Sequence, residues 1–146
     1  MARPSRRRPA PDQHDVELAA GLDQALAAAR DAERALAAAE AAGAELEQLA
    51  ALRRVVGARY DAAVAAAEAN YRVALGPTDG VKRVKVLARW AKAPVQEAER
   101  LRNQVTMARS HWRMATRDEL GVVPVAAVPP SVGTAPIHLA THLDEH

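Results

Sequence analysis

Three histidines, His138, His142 and His146, fall four residues apart, with Asp144 and Glu145 between the last two. On a helix that spacing aligns the imidazoles on one face, where they could hold zinc or nickel. The surrounding stretch VVPVAAVPPSVGTAPIHLATHLDEH holds four prolines, so no long helix fits before Pro136. A solvated terminus with no bound metal is therefore the plainer expectation.

A second candidate chemistry is phosphate neutralisation. Residues 81–93 read VKRVKVLARWAKA, with five cations and no acid. At 100° per residue Lys82, Lys85, Arg89 and Lys92 share one arc, while Val81, Val84, Leu87, Ala88 and Ala91 share the next. Trp90 and Val86 form a separate i,i+4 pair. Further on, Arg102, Arg109, Arg113 and Arg117 line one edge of an apolar stripe, and Arg3, Arg6, Arg7 and Arg8 crowd the start of the chain. Cations so arranged contact phosphates, and an exposed tryptophan can stack on a base. No helix-turn-helix or other reading motif accompanies them, so DNA or RNA binding would be phosphate-led and weakly sequence-specific. The competing expectation, which packing favours, is that these cations face acids of the same bundle. Such surface pairs are worth about 0–1 kcal/mol each and set register more than stability.

Catalysis finds little to work with. Cysteine is absent, the seven glycines are scattered, and no phosphate-loop or dinucleotide-binding spacing occurs. His111 beside Trp112 is expected at a packing edge. Tyr60 and Tyr71 are expected on a seam with their hydroxyls at its rim, and Met107 and Met114, seven apart and off the main stripe, mark either a second contact face or plain exposure. No enzyme activity and no cofactor are expected.

The elements that position these residues follow from composition. Phenylalanine is absent, aromatic residues make up 3% of the chain, and alanine dominates its 49% hydrophobic content. Burial stabilises by only about 0.8 kcal/mol per CH2-sized unit, so alanine seams favour thin, closely approaching helices over a thick core. Charge is segregated along the chain. Residues 12–76 carry eleven acids against six arginines, a net of −5, while residues 77–119 carry ten bases against five acids, a net of +5. No apolar segment follows the N-terminal arginines, so no signal is read there and a cytoplasmic address is expected.

An all-α fold is expected: a disordered Arg/Pro arm over 1–13, a helical hairpin or coiled coil over 14–121, and an extended tail over 122–146. Leu18, Leu22, Ala25, Ala29, Ala32, Leu36 and Ala39 recur at alternating spacings of four and three, a heptad seam. Leu49, Leu52, Val56, Tyr60, Val64, Ala67, Tyr71 and Leu75 continue at a longer period. Gly43 sits at the phase change with no proline or Asn/Asp cluster beside it, so a single helix over 14–75, continuous or kinked, is preferred to a turn. Gly76-Pro77 ends that helix, with Thr78 or Asp79 as the next cap, and helices over 79–92 and 94–120 follow.

At 1.5 Å per residue the first helix would span about 93 Å, against about 58 Å for residues 81–119. The seam residues Leu18, Leu22, Ala25, Ala29 and Leu36 would then lack an intramolecular partner, and self-association or a helical protein partner follows. A turn at Gly43 would instead close a three-helix bundle and remove that requirement. The favoured function is a non-enzymatic helical adaptor or structural protein that self-associates or binds a partner through this seam as a subunit of a larger assembly; nucleic-acid binding is the alternative, and a membrane is the least expected partner.

Overall fold

The computed structural model describes residues 10–119. Among them every regular element is an α-helix: α1 Gln13–Ala20, α2 Leu22–Ala41, α3 Leu46–Leu75, α4 Arg83–Trp90 and α5 Ala93–Glu119. The tail expected over 122–146 and most of the arm expected over 1–13 lie outside the described residues. The chain divides into two compact units, residues 1–110 and residues 111–146. In the second, the described residues are the last turns of α5, where the Thr116 hydroxyl donates to the Trp112 carbonyl at 2.9 Å.

The single helix expected over 14–75 is three helices. Gly43 is a turn: its φ is +71°, and nothing lies within 4 Å of where its Cβ would be. The Gly43 N–H donates to the Glu40 carbonyl at 3.1 Å and the Ala44 N–H to the Ala39 carbonyl at 3.0 Å. These are the two bonds of a Schellman motif, which satisfies the last carbonyls of α2 with one left-handed residue and no proline or Asn/Asp cluster. A second, milder break falls at Gly21, whose backbone stays near the helical region (φ −88°, ψ 3°), so the seam passes through it in register.

The seam expected to await a partner is filled by α3 of the same chain. Leu22, Ala29 and Leu36 are buried, Leu18 and Ala25 are half-buried, and Val56, Tyr60, Val64 and Ala67 are buried on α3. Polar rungs fix the antiparallel register: Glu40 to Arg53 at 3.3 Å, Glu33 to Tyr60 at 2.7 Å and Asp15 to Arg72 at 2.8 Å. The premise of a first helix lacking an intramolecular partner therefore does not hold.

A further face of α3 meets the Ala93–Ser110 part of α5. Leu22, Ala63, Val64, Ala66, Ala67 and Val105 form one buried cluster, with Ala25, Leu26 and Leu101 packed against it. Arg109 reaches Asp61 at 3.2 Å, and the Arg102 guanidinium lies 4.1 Å from the centroid of the Tyr71 ring, so this pair also runs antiparallel. The reason α3 can be covered on two faces is its run of alanines. Ala63, Ala67 and Ala69 are fully buried, and a methyl lets a neighbouring helix approach where a larger side chain would hold it away. Among the described residues no polar or charged residue is buried.

Candidate functional site

The break at Gly76 matches the sequence expectation: its φ is +79° and its N–H donates to the Arg72 carbonyl at 2.9 Å. The next helix does not start on Thr78 or Asp79. A further left-handed glycine, Gly80 at φ +68°, carries the chain through a turn in which the Val81 N–H donates to the Thr78 carbonyl at 3.1 Å. Helix α4 begins only at Arg83, capped by Lys82 in an extended conformation without a side-chain cap bond. It ends at Trp90 with Ala91 as its C-cap, and α5 starts at Ala93 with Pro94 in its first turn, where a missing N–H is tolerated. The Gln96 amide donates to the Trp90 carbonyl at 2.7 Å and ties the two helices together.

The four cations expected to share one arc of this helix meet different fates. Arg89 is half-buried, and its guanidinium donates to the Pro77 carbonyl at 2.6 Å, bracing the turn that precedes α4. Lys82, Lys85 and Lys92 are exposed, as is Arg83 on the opposite flank. None of these four side chains forms an ion pair among the described residues. The expectation that the 81–93 cations face acids of the bundle does not hold for them. For α5 it holds in part: Arg109 pairs with Asp61, and Arg102 sits over Tyr71 and 3.7 Å from Glu99. The Arg113 backbone is helical and its side chain exposed, whereas the side chain of Arg117 lies outside the description. Arg3, Arg6, Arg7 and Arg8, and likewise His138, His142 and His146, lie outside the described residues.

The apolar arc of α4 is the larger surprise. Val84 is 77% exposed and Leu87 54%, and Trp90 beside them is 42% exposed. Ala88 and Ala91 are exposed on the same side, while Val86 and Arg89 turn toward the body. The arc read as a packing seam is thus the outward face, with Arg83 on one flank and Lys85 and Lys92 on the other. The sequence pattern located the stripe correctly and assigned the wrong side to the interior, because Arg89 is anchored by a backbone carbonyl that only the folded turn supplies.

An open cleft of about 290 Å³ lies where the start of the described chain meets the end of α3, lined by Ala10, Pro11, Val73, Leu75, Pro77 and Arg89 among others. Arg89 is the one charged group in that lining, and it is already bonded to Pro77. His111 is exposed at the start of the second unit, and Met107 and Met114 are exposed. Tyr60 is on the seam as expected, but its hydroxyl is buried with the ring and held by Glu33; Tyr71 is half-buried. Among the described residues no group of three His, Asp or Glu side chains gathers as a metal site, and no helix is long and apolar enough to cross a membrane. Comparison with family models, curated proteins and solved structures finds no match to this chain.

Proposed function

We propose that this protein is a non-enzymatic helical adaptor, in which α1–α2, α3 and the Ala93–Ser110 part of α5 pack together and present α4 as the docking element. The observation that carries the reading is the exposure of Val84 and Leu87 between unpaired cations on an eight-residue helix. Burying an aliphatic side chain of this size stabilises by roughly 1.5–3 kcal/mol, so a partner that covers both recovers a substantial free energy. The Leu18–Leu36 seam, where the sequence pattern alone would put a docking surface, is covered by α3, and α4 carries the exposed aliphatic face instead.

The test is a photo-activatable residue placed at Leu87 and, as a control, at the exposed Ala50 of α3, in the cell that makes the protein. Discrete adducts from position 87 and none from position 50 support the reading, and their masses separate a second copy from another partner. Equal patterns at the two positions would remove it.

Nucleic-acid binding is a second reading, favoured by the unpaired state of Lys82, Arg83, Lys85 and Lys92. It requires affinity to fall with salt by a slope near 0.9 per phosphate contacted. Lys85→Glu with Lys92→Glu would abolish such binding with helicity intact. Arg89 is unsuited to this test because it braces Pro77.

A further inference from the structure

Resting on α4 as the docking element, we infer that its occupant is an anionic lipid surface, on which α4 lies parallel to the bilayer plane. Three features of the face select this occupant. Its centre is apolar: Leu87, Ala91 and Val84 point directly outward, opposite Arg89 and Val86. Its flanks are cationic on both sides, with Arg83 on one and Lys85 and Lys92 on the other. No acid occurs anywhere from Gly80 to Gln96.

A cationic rim selects a partner of opposite potential, since a positive patch is met by a negative one. A rim of uniform positive charge over this length matches a surface of uniform negative charge. Nucleic acid is such a surface, but its phosphate exterior offers nothing to cover Val84 and Leu87. An anionic bilayer supplies both layers in the right order, acyl chains for the outward arc and headgroup phosphates for cations that reach back toward water. Trp90, at the edge of the arc and 42% exposed, stands where an indole prefers the headgroup boundary. The aliphatic face is short, so attachment is peripheral, reversible and dependent on anionic lipid.

The experiment is flotation of the full-length protein with vesicles of phosphatidylcholine and with equimolar phosphatidylcholine and phosphatidylglycerol. Binding at least about tenfold stronger to the anionic vesicles is expected, with Val84→Ser plus Leu87→Ser and Lys85→Glu plus Lys92→Glu each removing about tenfold or more. All four positions are exposed, and circular dichroism of each variant establishes that the fold is retained. Equal binding to both vesicles, or loss with the charge variant alone, would overturn the assignment of a bilayer interface. A duplex DNA that binds the Ser variant as tightly as the natural chain would give α4 to nucleic acid instead. Absence of vesicle binding together with protein adducts at Leu87 would refute the lipid surface and leave the docking element standing; absence of both would refute the two together.

Discussion

The guanidinium of Arg72 holds both carboxylate oxygens of Asp15, at 2.8 and 3.0 Å, and so ties the first described helix to the end of α3. The hydrogen bond from Arg72 holds the Asp15 carboxyl below the ordinary aspartate value, and the same bond raises Arg72. A depressed carboxylate contributes stability that is present above the unfolded pKa, near 3.8, and is lost as the pH falls through the lower native value. Urea titrations of the natural chain and Asp15→Asn should therefore differ at neutral pH and converge in acid. Equal differences at both pH values would show that the ion pair contributes nothing to that pH dependence.

Tyr60 gives the opposite limb. Burial first, and then its 2.7 Å hydrogen bond to Glu33, push the phenol up to about 12. Its contribution is complete below the unfolded value of 10 and disappears as the pH rises toward 12. Tyr60→Phe should cost about 1 kcal/mol at neutral pH through the lost bond and the half-buried Glu33 it leaves behind. Subtracting the spectrophotometric titration of the variant from that of the natural chain should reveal a tyrosinate step near 12.

The two glycines flanking α2 should respond oppositely to alanine. Gly43→Ala forces a side chain into a φ of +71° and should destabilise by about 1–2 kcal/mol although the space around it is open. Gly21→Ala meets only ordinary contact, with the Leu18 carbonyl 3.5 Å away, at a backbone angle alanine accepts. It should stabilise by about 0.4–1 kcal/mol by restricting the unfolded chain. Thermal melts of the two variants decide the point, and a shift of the same sign in both would contradict the turn assigned to Gly43.

Leucine-to-aspartate changes separate the two apolar stripes. Leu22→Asp or Leu36→Asp buries a carboxylate against α3 and should cost about 4 kcal/mol or more, enough to unfold a marginal bundle. Leu87→Asp on α4 should leave the melt within about 0.5 kcal/mol of the natural chain, because that side chain is already 54% exposed. Loss of helicity in the first case alone distinguishes an interior seam from a docking face.

Overpacking probes the alanine approach of α3. Ala67→Leu places three additional carbons where a methyl is fully buried between Leu22 and Val105, and should destabilise by about 1–3 kcal/mol. The exposed Ala62, one turn-edge away on the same helix, should accept leucine with little change. Equilibrium denaturation of the pair measures how close the helices really are.

Residue order alone makes the described chain helical, groups residues into stripes and interrupts the helices at Gly76-Pro77 and Pro94. These follow from local rules: a period near 3.6, a left-handed glycine and a missing proline N–H act within one or two turns. What each stripe meets depends on the packed fold. The heptad from Leu18 to Leu36 is the same pattern whether another chain or α3 covers it, and the choice hangs on whether the isolated Gly43 folds α2 back. The cations divide for the same reason. Arg109 lies beside Asp61 and Arg89 beside the Pro77 carbonyl only once α5 and the turn are in place, whereas Lys85 and Lys92 meet no acid among the described residues. Periodicity fixes angles around one helix axis; which arc is buried depends on how many neighbours the remaining chain can bring to that axis.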